Sequence, residues 1–433
     1  MNFRIYWYLL TLVLIFSSCR WLLSAEGEDD PPIITSVILD GNRITQDHVI
    51  LRELSHPLFQ PFDSSLAYED QRRLYNLGIF ESIRIYAKDI DSREAVLVVE
   101  VVETIRMIPL PIIYQVEELG WSYGGGVSFL NFRGLNQRLD ALATFGAEKT
   151  FTFLFSDPWL FGDRISANAW IMQVYRGDPV YNFRMRVRDL EIGIGKFSKR
   201  RTVSLHGAVS IEQRMVHWLE RSRNDTTHSL FQSKIDFYWR ATDIWRDPTK
   251  GSWINLYISP VFPLDNASPS YTNIRVRCGW FYPIQPGVRP LVFGVGVRLS
   301  HYLYANHQRP MYLQQYVGSY WVRGYDADPA KNAPEISALQ QAPSVAGISL
   351  EIRKMVLPRR VVGQLELGLS SVAFVDIGWG FSPAQPLRQS QPLVGYGVGL
   401  RFFIPIVHII ALDVGGNPYD NRLRLRVRMS HAF

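Results

Sequence analysis

The chain has few cysteines and no long apolar run beyond its N-terminus. Two of the 433 residues are cysteine, Cys19 and Cys278, and removal of an N-terminal signal would leave only Cys278. Elsewhere charged residues interrupt each apolar stretch within a dozen residues, whereas a transmembrane helix needs about 20 apolar residues. These shortages argue against an intrachain disulfide and against helical membrane spans.

Patterns of catalysis and of nucleic-acid binding are also missing. The nine histidines have no metal-ligand spacing, and no zinc-protease, phosphate-loop or nucleophile-elbow sequence occurs. The net charge of +6 is modest for this length, and no basic–aromatic pattern is typical of a nucleic-acid interface. We therefore predict a protein that is not an enzyme, with no catalytic residue, no metal, no cofactor and no nucleic-acid partner.

Residues 1–25 are predicted to be a secretory signal peptide. Arg4 gives the positive start, residues 5–16 the apolar core, and Ser24 and Ala25 the small residues for cleavage. A membrane anchor is disfavoured because the apolar core is short. Lipidation of Cys19 stays open.

Residues 31–105 have the pattern of a small α/β domain in the order β-α-α-β-β. A helix is predicted to start at Asp63 or Ser64, and Gly78 stands where a left-handed helix stop is needed. The edge of such a small sheet can bind an extended peptide. The alternative is a small domain packed only for its own stability. The residues that mark the helix end and the next strand are Leu74, Tyr75, Gly78 and Phe80.

Residues 106–119 are predicted to be an extended linker because of Pro109 and Pro111. From residue 120 to residue 433 apolar residues recur with a period of two. In the last strand Leu423, Leu425 and Val427 alternate with arginines, and the chain ends in Phe433. This alternation favours a transmembrane β-barrel with an apolar face toward lipid and arginines in a watery lumen.

Two other strands repeat the alternation, and they predict which residues face inward. Arg275 and Arg277 are expected in the lumen, with Cys278 toward lipid, and Arg184, Arg186 and Arg188 are likewise expected in the lumen. The length after residue 120 allows about sixteen strands. The first and last strands, near 121–130 and 422–433, are predicted to meet at a seam.

A long irregular segment, about residues 302–343, contains Val322, Arg323, Gly324 and Tyr325. Long loops in compact domains are usually functional, and an arginine among aromatic residues suits a loop that folds into an enclosed space. An exposed loop with a chance basic residue is the alternative.

Two strands after this loop carry acidic residues on one face. The residues of interest are Glu351 on the first strand, and Phe374, Asp376 and Gly378 on the second. Because a buried carboxylate needs a partner, we predict that Arg323 binds Asp376, with Glu351 as second choice. Tyr325 and Phe374 are expected to stack on the arginine in a partly hydrated lumen.

These motifs resemble known families. Residues 73–83 look like the signature of a POTRA domain. The loop motif and the Phe374-Val375-Asp376-Ile377-Gly378 segment resemble the superfamily of outer-membrane protein-assembly and two-partner-secretion barrels, typified by BamA and TamA. There the sixth extracellular loop reaches down the lumen to the thirteenth strand. With one POTRA domain the chain resembles a short member and departs from the larger members of the family. It also has Gly318-Ser319 where a Gly-Gly pair is common.

The resemblance implies a mainly β protein: a 16-stranded antiparallel transmembrane β-barrel after one POTRA domain. It also implies insertion or translocation of polypeptide in the bilayer of a bacterial-type outer membrane. The POTRA domain would receive unfolded or extended clients in the periplasm, and accessory subunits would assist. A passive outer-membrane pore or structural barrel without client-assembly activity stays open.

Overall fold

Two helices and three strands form the N-terminal domain. In chain order they are β1 (Ile33–Asp40), α1 (Asp47–Leu51), α2 (Ser64–Asn76), β2 (Phe80–Asp89) and β3 (Glu94–Glu103). The central strand β3 pairs in parallel with β1 and antiparallel with β2. The β-α-α-β-β order predicted from the sequence is confirmed.

The predicted signature residues lie where α2 ends and β2 begins. Leu74 and Phe80 are buried in the domain core, and Tyr75 packs against that core. Gly78 has a φ of +72°, the left-handed conformation that favours glycine after a helix. At the other end of α2, Asp63 accepts hydrogen bonds from the amides of Ser65 (2.7 Å) and Leu66 (3.3 Å). A hydrogen bond from the Ser65 hydroxyl makes the largest contribution to lowering the pKa of Asp63, and the two amide bonds lower it further.

The structure is a computed structural model, and it describes residues 31–91, 93–116, 119–161, 164–178, 182–198, 202–220, 223–245, 247–304, 310–318, 321–326, 331–332, 336, 341–362, 365–382, 386–404 and 408–428. The predicted signal peptide, Cys19 and Phe433 lie outside these residues. Within them no helix is long and apolar enough to cross a membrane.

Sixteen antiparallel strands form one sheet that curves into a nearly closed barrel. Its strands are β4 (Met107–Val116), β5 (Gly120–Phe132), β6 (Gln137–Gly146), β7 (Glu148–Asp157), β8 (Ile165–Gly177), β9 (Phe183–Phe197), β10 (Val203–Trp218), β11 (Thr226–Thr242), β12 (Gly251–Pro263), β13 (Tyr271–Gln285), β14 (Leu291–Tyr304), β17 (Ser344–Val362), β18 (Leu365–Phe381), β19 (Leu393–Ile404), β20 (His408–Asn417) and β21 (Asp420–Arg428). Two short strands, β15 (Gln315–Tyr316) and β16 (Gln341–Ala342), pair within the loop after β14.

The predicted linker is wrong, because β4 lies within it. This strand pairs with β5 from Met107 to Val116, so β4, not the segment near 121–130, is the first strand of the barrel. Pro109 and Pro111 are two residues apart, so their nitrogens face the same side of the strand. An edge strand pairs with a neighbour on one side. It can contain prolines if their nitrogens, which lack an N–H group, face the unpaired side. Among the described residues no ladder joins β4 to β21.

The outward faces of β21 and β13 are apolar, as the alternation predicts. Leu423 and Leu425 on β21 are 74% and 65% exposed, and Val427 shares their parity. On β13 Arg277 and Phe281 line a lumenal cavity, which places Cys278 on the outward face with the exposed Trp280.

The prediction for β9 is wrong. Phe183 and Met185 are buried with Tyr312 of the loop after β14, so these residues point into the lumen. Arg184, Arg186 and Arg188 therefore face outward. Alternation separates the two faces of a strand but does not say which face is inward.

The N-terminal domain packs against connections at one end of the barrel. The backbone N–H of Gln46 donates to the carbonyl of Gly134 (3.0 Å). Arg52 stacks over Trp159 (4.4 Å), and the Arg72 side chain donates to the carbonyl of Asp243 (2.8 Å). These connections follow β5, β7 and β11. Because the strands are antiparallel, the loop after β14 enters from the opposite end.

Candidate functional site

Arg323 lies inside the barrel between two neighbouring strands. Its backbone N, Nε and Nη2 donate to the carboxylate of Asp376 on β18, at 3.0, 2.6 and 2.7 Å. Its Nη1 donates to Glu351 Oε1 on β17 at 2.8 Å. The guanidinium also lies over the ring of Phe374, 3.5 Å from the centroid. The structure thus brings Arg323 together with both predicted acids and one of the two predicted rings.

The pairing of β17 with β18 explains why these side chains converge. Glu351 lies opposite Phe374, and Ser349 lies opposite Asp376. Residues two apart on a strand share a face, so the two carboxylates and the ring form one patch of the inner wall. A planar guanidinium can bind such a patch with several donors at once.

The contact is buried, whereas the sequence predicted a partly hydrated lumen around it. Arg323 is 3% exposed, Glu351 2% and Asp376 1%. The reason is an apolar cluster around the loop, made of Val317, Val322, Tyr325, Ile336, Val345 and Leu393. Tyr325 belongs to this cluster and donates its hydroxyl to the carbonyl of Val394 (2.9 Å), a different contact from the predicted stacking on Arg323.

The loop approaches the wall closely where the wall has glycine. A Cβ on Gly378 would overlap the side chain of Val322, and a Cβ on Gly395 would overlap the carbonyl of Arg323. Gly324 has a φ of +99° and lies against the backbone of Gly416. Gly378 is one of the predicted site residues, and its contact with the loop explains the glycine at the last position of the Phe-x-Asp-x-Gly segment.

Sequence reasoning missed a second set of charges next to the first. Arg401 on β19 donates to Asp413 Oδ1 on β20 (2.7 Å), and Arg428 on β21 donates to Asp413 Oδ2 (2.8 Å). Arg401 Nη2 lies 3.5 Å from Glu351 Oε1. Arg401, Asp413 and Arg428 are each flanked by apolar residues in the sequence, and this alternation could have marked them as inward-facing charges. Their proximity to Arg323 depends on strand register, which the sequence does not show.

The last strand also contacts the loop, a connection that was not predicted. Arg424 on β21 binds Asp326 Oδ2 through Nε (2.9 Å) and Nη2 (2.7 Å). It donates to the carbonyl of Gly324 as well (3.0 Å), and Asn417 donates to the same carbonyl (2.7 Å). The loop therefore connects two parts of the wall. Arg323 binds β17 and β18, and Asp326 binds β21.

A turn enters the lumen from the other end. Asp247, between β11 and β12, accepts from Arg353 Nη1 (3.2 Å) and from Arg359 Nη2 (2.7 Å). Arg353 also lies 4.0 Å from Glu351 Oε2. Asp243 closes this turn by accepting from the amides of Thr249 and Lys250. Segments from both ends of the barrel thus meet on β17, and both hold the inner wall by ion pairs.

Comparisons with known families cover most of the chain. The model described as the Omp85 superfamily domain matches residues 131–433, and the POTRA model, described as surface antigen variable number repeat, matches residues 32–104. No curated protein sequence matches the chain.

Three solved structures share the fold at low sequence identity. BamA from Haemophilus ducreyi lacking POTRA domains 1–3 has a TM-score of 0.57 at 12% identity, over 92% of this chain and 83% of that one. CdiB from Acinetobacter baumannii has a TM-score of 0.54 at 12% identity, over 92% and 72%. CdiB from Escherichia coli has a TM-score of 0.52 at 11% identity, over 93% and 90%.

Proposed function

Because the chain belongs to the Omp85 superfamily, we propose that it inserts or translocates polypeptide clients at a bacterial-type outer membrane. Members of this superfamily are transporters or assembly factors and not enzymes. The observation that carries the proposal is that no ladder joins β4 to β21 among the described residues, while the other fourteen strands of the sheet are each paired on both sides. Free strand edges present N–H and C=O groups to an incoming strand.

The POTRA domain would face the periplasm and receive the extended client. Its sheet has two edges, β1 and β2. The start of β1 is already occupied, since Ile34 exchanges backbone hydrogen bonds with Phe59 and Gln60 (2.7 and 3.0 Å). The outer edge of β2 pairs with no other strand among the described residues. We therefore assign client binding to β2.

The loop would hold the seam closed by holding β21 from inside. Arg323 fixes the loop to the wall at β17 and β18, and Asp326 binds Arg424 on the seam strand. Movement of β21 away from the barrel must break the Arg424 contacts with Asp326 and with the Gly324 carbonyl. Opening of the seam between β4 and β21 then requires the loop to release β21.

Single-channel recording in planar bilayers tests, without any client, whether these contacts between the loop and β21 hold the seam closed. We call these contacts the tether. Asp326→Asn and Arg424→Gln should each increase the fraction of time spent in open states, because each removes charge-assisted bonds to β21. Arg422→Gln is the matched control: Arg422 lies on the same strand and face and has no ion pair in the described part of the chain. Equal behaviour of all three variants would exclude the tether.

Reconstitution into liposomes tests the function itself. Purified full-length protein should accelerate the insertion of an unfolded outer-membrane barrel client, measured as protease-protected, compactly migrating client. A passive pore is the alternative: it would conduct ions yet leave the insertion rate at that of empty liposomes. That result would reject the proposed function.

A further inference from the structure

Four cationic side chains face outward at the barrel end away from the POTRA domain. Arg184, Arg186 and Arg188 on β9 share parity with Leu190 and Ile192, which are 50% and 59% exposed. Lys149 on β7 shares parity with the outward Phe151 and Phe153. We call these four residues, Lys149, Arg184, Arg186 and Arg188, the outer basic patch.

Strand register places the patch in one continuous area. Lys149 lies opposite Tyr175 on β8, and Tyr175 lies opposite Arg186. Lys149 Nζ and Arg186 Cζ are each 6.0 Å from the centre of the Tyr175 ring. One row closer to the barrel middle, Arg188 Nε donates to Gln173 Oε1 (3.1 Å).

No carboxylate neutralises the patch within the part of the chain that the structure describes. None of its four cations has an ion pair there. The neighbouring acids have other partners: Glu148 points inward and accepts from Tyr114 (2.9 Å), and Asp225 binds His217 at the rim (2.7 Å). Four positive charges therefore face outward together.

The position of the patch indicates the membrane interface. Along the same strands, the next outward row is apolar and contains Phe153, Ile171, Leu190 and Ile211. An outward arginine costs about 2–4 kcal/mol at the bilayer midplane but only about 0–1 kcal/mol near the interface. The change from apolar to basic rows thus lies at the depth of the lipid headgroups.

We propose that the outer basic patch binds the phosphate groups of a diphosphorylated glycolipid in the outer leaflet. The proposal rests on the outer-membrane orientation proposed above, which puts the POTRA domain in the periplasm. Arginine forks bind phosphate with paired hydrogen bonds. The patch extends about 14 Å along β9 and about 10 Å across to β7, more than one phosphate covers. Two phosphates on one headgroup match this extent and charge better than a singly charged phospholipid.

Native mass spectrometry of the purified full-length protein tests the site. The probes are diphosphoryl lipid A, monophosphoryl lipid A and phosphatidylglycerol, each titrated in the same detergent. Wild-type protein should retain diphosphoryl lipid A most strongly. The variant R184Q/R186Q/R188Q should bind it about a hundredfold more weakly, given the usual contribution of each basic residue near anionic lipid.

Two variants control for charge and folding. R275Q/R277Q/R422Q removes three lumenal arginines and should retain the lipid as wild type does. R184K/R186K/R188K keeps the charge and should recover part of the affinity, which shows that a loss in the glutamine variant is not misfolding. Equal loss in the lumenal control, or equal binding of phosphatidylglycerol or monophosphoryl lipid A, would overturn the proposal.

These measurements need no client, so they separate the site from the proposed function. Lipid retention by a protein that inserts no client supports the patch and rejects only the function. Client insertion by a protein that retains no lipid A rejects only the patch.

Discussion

Arg323 fixes the loop to the inner wall, and its removal would leave buried carboxylates without their cationic partner. In the described residues, Asp376 has ion-pair contact only with Arg323, whereas Glu351 also lies near Arg401 and Arg353. Removing one partner of a buried pair costs about 3–5 kcal/mol, because the other charge stays buried. The site is therefore sensitive at Arg323 and Asp376 and more tolerant at Glu351.

Arg323→Ala and Asp376→Ala should each destabilise the barrel, and the double variant should be less destabilised than the sum by about 0.5–3 kcal/mol. Arg323→Lys should recover only part of the loss, because an ammonium lacks the planar fork that grips Asp376 and stacks on Phe374. Denaturant unfolding in lipid vesicles measures these differences. Strict additivity would show that the two residues do not act as a pair.

At the scale of elements, the turn between β11 and β12 joins the POTRA domain to the inner wall. Arg72 of α2 binds the carbonyl of Asp243, and Asp247 of the same turn binds Arg353 and Arg359 on β17. Arg353 in turn lies beside Glu351, which binds Arg323 of the loop. A displacement of the domain can therefore reach the lumen through residues in contact.

Asp247→Asn should lower the free energy of unfolding by a few kcal/mol, about the range for breaking a buried pair, because Arg353 and Arg359 lose a buried counter-charge. It should also increase channel openings, since the turn is no longer held in the lumen. Lys250→Gln in the same turn is the control, because Lys250 is exposed. Matching behaviour of the two variants would rule out a structural role for the Asp247 contacts.

The edge strands of the POTRA domain allow a matched comparison of client binding. Ser36 on β1 and Lys88 on β2 both lie opposite Val96 of β3, so they occupy one row of the sheet. A photo-crosslinking residue at position 88 should capture an extended client several-fold more than one at position 36, since the start of β1 is already hydrogen-bonded. Preferential capture at position 36 would reverse the assignment of the binding edge.

At the scale of the whole molecule, sixteen strands in one curved sheet predict a heat-modifiable membrane protein. The mature chain should fractionate with outer membranes and migrate as a compact form until it is boiled, because a sheet of sixteen hydrogen-bonded strands resists detergent at room temperature. Gel electrophoresis with and without heating measures this. Recovery as a soluble, carbonate-extractable protein would contradict the transmembrane barrel.

The sequence predictions for the first and last strands of the barrel had different outcomes, and the position of each strand in the whole sheet explains why. The last strand was predicted correctly over residues 422–428, because arginine and apolar residues alternate there without interruption, and residues 429–433 lie outside the described part of the chain. The first strand was missed because Pro109 and Pro111 are typical of linkers. Only its place at the edge of the sheet, with one side unpaired, makes two prolines compatible with a strand.

The sequence by itself determined the strand periodicity, the β-α-α-β-β order and the identities of Arg323, Glu351 and Asp376 as candidates. These depend on local alternation and on short motifs, which are properties of neighbouring residues. Tertiary structure alone decided that the contact of Arg323 with Asp376 and Glu351 is buried, that the β9 arginines face outward, and that Arg401, Asp413 and Arg424 join the site. Each of these depends on strand register and on the loop packing against the wall, because only the assembled barrel brings residues about 100 positions apart, such as Gly324 and Arg424, into hydrogen-bonding distance.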